Sequence, residues 1–207
     1  MDPITPHAAP TDEHAASGRR LLTVTVSTRP GRKGPLVARW FEGVARSHGA
    51  FQVDPVDLAE MDLPLFNEPE HPRLARYQHA HTKAWSARVQ AADAFVFVTP
   101  EYNFTTPPSL VNALDYLVGE WAYKPAAFVT YGGVSGGLRA LQTARLLVSN
   151  LRMVPVVESV SIPFFTTFID AETTTFTPDA RADTAAAAML GELRRWSDAL
   201  RVLRAPA

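Results

Sequence analysis

Cysteine is absent from this chain of 207 residues. Without cysteine, the protein cannot form a disulfide, use a thiolate as a nucleophile, or bind zinc or an iron–sulfur cluster through thiolates. Any redox chemistry that it performs therefore needs a cofactor. The absence also fits a reducing compartment, so we expect a cytoplasmic protein.

The chain also has little net charge and no long apolar segment. Its formal net charge of -1 creates no long-range field that would attract phosphate backbones or anionic lipid. No apolar run approaches the roughly 18 residues that span a bilayer, and the amino terminus lacks the apolar core of a signal peptide. We expect a small-molecule partner, and neither nucleic acid nor a membrane.

The composition that remains, 46% hydrophobic and 20% charged, is that of an ordinary globular protein. Residues 1–19 are rich in Pro, Ala, His and Asp without an apolar period, which predicts a flexible tail. A chain of this length can bury roughly 70% of its unfolded surface, so one core suffices. We therefore predict a single domain over residues 20–207.

Short β-branched or aromatic runs alternate with longer helical patterns along that domain. The predicted strands are Leu21–Ser27, Phe51–Leu58, Ala94–Thr99, Ala126–Tyr131 and Val154–Ile162. The predicted helices are Pro35–His48, Pro72–Ala91, Pro107–Val118, Ser135–Leu151 and Ala180–Leu203. This alternation predicts an α/β fold, a doubly wound parallel sheet with helices on both faces. Ligands of such sheets bind at the carboxyl ends of the strands, so the loops after strands one, three and four are the candidate site.

The loop after strand one has the residues of an anion site. Ser27 and Thr28 supply hydroxyl groups, and a helix start at Pro35 supplies free backbone N–H groups. Arg29 and Arg32 supply guanidinium groups, so a terminal phosphate ester is the predicted ligand. The alternative is a solvated basic turn. Neither Gly-x-Gly-x-x-Gly nor Gly-x4-Gly-Lys-Ser/Thr is present, which disfavours a Rossmann dinucleotide or a P-loop nucleotide.

The loop after strand three, Thr99–Pro108, is stiffened by proline and presents Tyr102, Asn103 and Phe104. Its main-chain N–H groups and the Asn side chain can follow the polar edge of a planar ring while an aromatic covers part of the face. The alternative is a proline-stiffened connector without a ligand.

The loop after strand four contains four glycines, which let the backbone approach a ligand closely. The segment Gly133–Gly137 also satisfies the Gly-x-Ser-x-Gly nucleophile elbow of serine hydrolases, with Ser135 as the nucleophile. A hydrolase of that order needs a histidine after the serine, and all six histidines precede it. We therefore interpret the glycines as a close-approach loop.

Three histidines, His71, His79 and His81, cluster in the sequence and raise the question of a metal site. Helical positions two apart face different directions, and no carboxylate completes a plausible ligand set. We predict a surface or interface role and no metal.

Together the three loops resemble the NADPH-dependent FMN reductase family, a flavodoxin-like group that includes flavin, quinone, azo-dye and chromate reductases. The similarity runs from about Leu21 to Val160. Its motifs are Ser27–Arg32, Thr99–Asn103, Asn112–Leu117 and Tyr131–Gly137. No single motif is specific, but all three loops lie where this family holds FMN.

The resemblance implies a flavodoxin-like three-layer sandwich with a five-stranded parallel sheet of order 2-1-3-4-5. It implies an enzyme that uses FMN, accepts hydride from NADPH or NADH at flavin N5, and reduces a flavin, quinone or similar small acceptor. No side chain is then a catalytic nucleophile, because the cofactor performs the electron chemistry. Homodimers or tetramers are usual in the family.

The resemblance also implies a role for each loop. Ser27, Arg29 and Arg32 would hold the phosphate. The edge of the isoalloxazine would be lined by Pro100, Glu101, Tyr102 and Asn103. The pyrimidine end would lie beside Gly132, Gly133, Ser135 and Gly136.

Two positions depart from the family pattern. Many relatives have lysine where this chain has Val111, and a polar residue such as histidine is common where Phe104 stands. The pocket is therefore expected to be more apolar, with a different acceptor or nicotinamide preference. An electron-transfer flavodoxin is an alternative, but flavodoxins are usually strongly acidic and this chain lacks such a charged face. A regulator with an unused flavin pocket is the other alternative.

Self-association is predicted from the helix after strand three. Leu110, Leu114, Leu117 and Trp121 form one apolar stripe, and Val111 and Val118 form a second. One helix cannot easily bury both stripes against its own sheet, so the second should contact another subunit.

Overall fold

A computed structural model describes residues 18–204 of the chain. Its strands are β1 (Arg20–Thr25), β2 (Gln52–Asp57), β3 (Ala94–Pro100), β4 (Pro125–Tyr131), β5 (Val154–Pro155) and β6 (Val160–Ile162). All of them pair in parallel in the order β2-β1-β3-β4-β5, and β6 also pairs with β4. The predicted α/β class and the 2-1-3-4-5 order are confirmed.

Helices cover both faces of this sheet. They are α1 (Gly34–His48), α2 (Leu58–Met61), α3 (Ala80–Ala91), α4 (Pro108–Asp115), α5 (Leu138–Asn150), α6 (Ala180–Ala199) and α7 (Arg201–Arg204). Three short 3-10 turns lie at Pro72–Leu74, Gly119–Trp121 and Phe165–Phe168. Within the described range, no helix combines the length and the apolar character needed to cross a bilayer.

The core is divided by the sheet into two layers. All residues of β3 and β4 are buried, as expected for central parallel strands that are covered on both faces. Alternate side chains of β3 point to opposite faces of the sheet. Phe95 and Phe97 pack with α3, α4 and α5, whereas Val96 and Val98 pack with α1 and α6. The aromatic layer is completed by Trp121, whose ring lies 5.0 Å from that of Phe95.

The fifth predicted strand is interrupted. Pro155 pairs with Ala126, and Val160 pairs with Val129. The segment from Pro155 to Val160 is therefore two residues longer than the part of β4 with which it pairs. The two extra residues bulge outward, and Val157 is 80% exposed. Arg145 binds the carbonyl oxygen of Val157 at 2.6 Å, which compensates for the ladder bonds that are missing there.

The helix predicted from Pro72 to Ala91 is only partly formed. A 3-10 turn ends at Leu74, Ala75 has φ of 51°, and α3 begins at Ala80. The buried carboxylate of Glu68 accepts hydrogen bonds from the backbone N–H groups of Gln78 (2.8 Å) and His79 (3.0 Å). These bonds to a residue outside the helix replace the helical ones, so the periodic pattern overestimates its length.

The predicted amino-terminal tail lies, up to residue 17, outside the described residues. Its last member, Arg19, contacts the fold: Gln52 N donates to Arg19 O at 2.7 Å, and the guanidinium lies 3.7 Å from the Asp93 carboxylate. Arg19, the residue before β1, therefore takes part in the contacts of the fold.

Gly137 and Gly43 allow a matched test of whether a glycine is required by its backbone conformation and its packing. Gly137 has φ of +86°, and a Cβ there would lie 2.8 Å from Thr130 Cβ, whereas Gly43 in α1 has open space around it. We expect Gly137→Ala to lower the free energy of unfolding by more than about 1–2 kcal/mol, and Gly43→Ala to raise it by about 0.5–1 kcal/mol. Urea titration followed by circular dichroism measures both. An unchanged midpoint for Gly137→Ala would contradict the packing described.

Candidate functional site

A cavity of about 440 Å³ lies at the carboxyl ends of β1, β3 and β4. The predicted site residues meet there with two exceptions, Ser135 and Gly136. Those that line the cavity are Ser27, Arg29, Arg32, Pro100, Glu101, Tyr102, Asn103, Gly132 and Gly133. Lys33, Tyr131 and Phe165 line it as well.

Two buried hydroxyl groups lie at the start of α1. Apart from their contact with each other, Ser27 Oγ and the Tyr131 hydroxyl have no hydrogen-bond partner among the described residues. Both lie against Gly34, where a Cβ would stand 2.1 Å from Ser27 Oγ and 2.6 Å from the Tyr131 hydroxyl oxygen. Burial raises the pKa of Tyr131 well above its usual range, so the phenol stays protonated and able to donate. One hydroxyl hydrogen remains free even when these two groups bond to each other, so this helix start suits an anion.

The two arginines near the start of α1 make different contacts. Arg32 pairs with Asp57 at 2.6 Å and donates to Ser27 O at 2.9 Å, so its guanidinium braces the loop. Arg29 is exposed and forms no ion pair within residues 18–204. Arg29 is therefore available for an anion, as is the exposed Lys33, whereas Arg32 serves as support.

The other end of the cavity is bounded by a tight hairpin. Tyr102 and Thr105 exchange two backbone hydrogen bonds of 2.9 Å, and the two residues between them, Asn103 and Phe104, have φ of 46° and 67°. This is the conformation of a two-residue turn in which both central residues have positive φ. Phe104 is 69% exposed and does not line the cavity.

Ser135 lies behind the cavity wall and contacts Glu101. Its hydroxyl donates to Glu101 Oε2 at 3.0 Å and accepts from Arg139, whose Nε also donates to Glu101 Oε1 at 2.6 Å. Burial acts to raise the pKa of Glu101, but the hydrogen bonds from Arg139 and Ser135 outweigh it and hold that pKa below its usual range. The carboxylate is therefore ionised near neutral pH.

The glycines of the same loop serve two purposes. Gly132 and Gly133 line the cavity, and their close approach to a ligand stays a prediction. Gly136 instead packs against the chain itself: it has φ of +58°, and a Cβ there would lie 2.9 Å from Pro163 N. Its carbonyl accepts from Thr130 Oγ1 at 2.8 Å.

The nucleophile elbow has no base in the described part of the chain. The histidines that the structure describes are bound elsewhere or lie at a distant helix end: His71 accepts from Arg73 N, and His79 and His81 contact Asn67. His48 is in the last turn of α1. Ser135 instead forms hydrogen bonds with the Glu101 carboxylate and the Arg139 guanidinium, so its hydroxyl has a structural role.

The histidine cluster is a stacked pair rather than a ligand set. The rings of His79 and His81 are parallel and 5.1 Å apart, and His71 is not with them. Between residues 18 and 204, no three His, Asp or Glu side chains come together in a way that could hold a metal ion.

Sequence reasoning missed Lys33, Tyr131 and Phe165. Tyr131 is the first residue of the fourth motif and Lys33 directly follows the first motif, so their positions at a strand end and a helix start were the available signal. Phe165 carried no signal, because it comes from the turn after β6 and reaches the site through Phe165 N, which donates to Gly132 O at 3.3 Å. Its ring lies 4.8 Å from that of Tyr131.

Comparison with known proteins gives consistent matches. A family model described as NADPH-dependent FMN reductase matches residues 19–167. An NAD(P)H-dependent FMN reductase of Schizosaccharomyces pombe is 36% identical over 147 residues, which cover 70% of this chain and 74% of the relative. A second, from a Nectria species, is 32% identical over 154 residues and covers 70% and 75%.

Among solved structures, the NAD(P)H:(acceptor) oxidoreductase FerB of Paracoccus denitrificans matches with a TM-score of 0.69. The match covers 87% of this chain and 97% of FerB at 20% identity, which is similarity of fold.

Proposed function

Because this chain belongs to the NADPH-dependent FMN reductase family, we propose that it binds FMN in the cavity and uses NADPH or NADH to reduce a small oxidised acceptor such as a flavin or quinone. The observation that carries the proposal is the pair of buried hydroxyls, Ser27 and Tyr131, which have no partner other than each other within the described residues and lie at the start of α1 beside Arg29. A phosphate oxygen at this end of the cavity would accept a hydrogen bond from them and would face the positive charge of Arg29.

The residues of the cavity fit the two ends of FMN. At the phosphate end, Ser27 and Tyr131 donate hydrogen bonds and Arg29 supplies the charge. At the ring end, the main chain of Pro100–Asn103 and the backbone of Gly132 and Gly133 form the wall. When bound, FMN supplies the hydride chemistry through N5, so the protein contributes position, exclusion of water and electrostatics.

Mixing with a nicotinamide under anaerobic conditions tests the reaction. We expect the protein loaded with FMN to lose its visible flavin absorbance when NADPH or NADH is added, and to recover it when a quinone is added. The measurement is absorbance in a stopped-flow instrument. An electron-transfer flavodoxin would bind FMN without being bleached by either nicotinamide, and a protein that does not bind FMN at all would contradict the proposal directly.

Arg29→Ala tests the phosphate end separately. The change removes a charge-assisted hydrogen bond worth about 1.5–3 kcal/mol, so FMN should bind about ten- to a hundredfold more weakly. Riboflavin has the same ring but no phosphate, and its affinity should hardly change. Titration of quenched flavin fluorescence measures both ligands on wild type and variant.

A matched control for this experiment is Arg201→Ala. Arg201 is an exposed residue of α7, at the opposite end of the sheet, and its loss changes the net charge equally. FMN affinity should not change in this variant. Equal losses for FMN and riboflavin in Arg29→Ala would indicate general damage to the fold and would contradict the phosphate assignment.

Self-association stays a prediction, and the structure alters its basis. The first stripe, which contains Leu110 and Trp121, is fully buried against the sheet. Val111 and Val118 are half-buried within the chain itself, so less apolar surface is left for a partner than the pattern suggested. We propose a homodimer or tetramer in the cytoplasm. Light scattering should give a mass above the monomer mass of 22.7 kDa at micromolar concentration, and a monomer mass would contradict it.

A further inference from the structure

The carboxylate of Glu101 connects two of the loops that surround the cavity. It follows β3 directly, and its side chain is 7% exposed. Oε2 accepts from Ser135 Oγ (3.0 Å) and from Arg139 N (3.1 Å), and Oε1 accepts from Arg139 Nε (2.6 Å). Arg139 also forms an ion pair with Glu101 through its terminal nitrogen. With both oxygens engaged, the carboxylate is directed at α5 and not at a ligand.

The Glu101 carboxylate caps the start of α5, because the residue at the N-cap position of this helix has no side chain that could do so. The N-cap residue is Gly137, which makes no side-chain cap hydrogen bond. Glycine is required there, since its φ is +86° and a Cβ would lie 2.8 Å from Thr130 Cβ. A helix start with free N–H groups is stabilised by an anion. Glu101 supplies the missing cap from a different loop.

Arg139 carries the contact onward to the hairpin. One face of its guanidinium lies 3.7 Å from the ring centroid of Phe104, which is a cation–π contact. Phe104 has φ of 67°, a conformation that a bulky residue adopts at a cost of about 1–3 kcal/mol unless its surroundings hold it. Glu101 thus fixes Arg139, and Arg139 fixes the turn formed by Asn103 and Phe104.

From these contacts we propose that Glu101 is a positioning residue for the flavin ring. It ties the Tyr102–Thr105 hairpin to the glycine loop before α5, and it thereby sets the separation of the two backbone segments between which the ring lies. The proposal rests on the proposed function, since it assigns those segments to the ring of FMN. It also accounts for Ser135, which contributes a hydrogen bond to this contact.

Flavin titrations on Glu101 variants test the proposal. We expect Glu101→Ala to weaken FMN and riboflavin equally, by about tenfold, because the ring end is affected and the phosphate end is not. Glu101→Gln, which keeps a hydrogen-bond acceptor for Arg139 N, should recover part of that loss. The double variant Glu101→Ala/Arg139→Ala should bind no more weakly than Glu101→Ala, because the two side chains act as one unit. Visible circular dichroism of the bound flavin should change in Glu101→Ala, since the ring orientation changes.

Glu120→Ala is the matched control. Glu120 is also largely buried and accepts two side-chain hydrogen bonds, from Tyr77 (2.8 Å) and Ser86 (2.7 Å), but it precedes β4 at the other end of the sheet. Its loss should lower stability without changing riboflavin affinity. An equal weakening in both alanine variants would reduce Glu101 to a structural residue and overturn the proposal. So would an unchanged riboflavin affinity in folded Glu101→Ala, or a loss restricted to FMN.

Amide hydrogen exchange on the protein without flavin separates this proposal from the proposed function. Residues 102–105 should exchange faster in Glu101→Ala than in wild type, because the hairpin is released. If exchange rises and wild type binds neither FMN nor riboflavin, the proposed function fails and the positioning role for flavin fails with it. If wild type binds both flavins and exchange is unchanged, the proposed function stands and only the positioning role is wrong.

Discussion

Parallel pairing of β3 with β1 on one side and β4 on the other is the interaction on which the rest of the structure depends. Because the three strands run in the same direction, their carboxyl ends meet at one edge, and three loops that are far apart in the chain surround one cavity. The pairing continues beyond the strands, since Val26 N donates to Val98 O and Glu101 N donates to Tyr131 O. Burial on both faces makes these central strands rigid, so the loops are presented at fixed separations.

Buried polar groups around that edge have two different roles. Within the described residues, Ser27 Oγ and the Tyr131 hydroxyl have no partner other than each other, and they are suited to a ligand. Glu101 is engaged through both carboxylate oxygens, and Arg32 pairs with Asp57, so these two side chains hold loops in place. An unpaired buried donor costs free energy, whereas a satisfied one stabilises the fold. This difference separates the residues that are suited to bind a ligand from those that hold a loop in position. From the sequence alone the two groups look the same, because each of the four side chains could contact an anion or a polar ring.

The parts of the fold that sequence analysis predicted well are those with strong local signals. β3 and β4 are apolar throughout, and α1 ends at a glycine in the left-handed conformation, so their bounds agree closely with the prediction. The errors lie where a distant side chain competes with the local pattern. Glu68 shortens the helix before β3, and Arg145 accompanies the outward bulge between β5 and β6. Each of these side chains is ten or more residues away from the backbone group that it binds, which local periodicity does not report.

By itself, the sequence determined the α/β class, the strand that precedes each loop and most of the residues that line the cavity, because strand ends in a parallel sheet share one edge. Only the tertiary structure decided how those residues are used. It paired Arg32 with Asp57 and left Arg29 exposed, brought Phe165 to the cavity, and placed Glu101 at the start of α5. The physical reason is that a hydrogen bond or ion pair depends on the distance between groups, and these groups are separated by 25 residues or more along the chain.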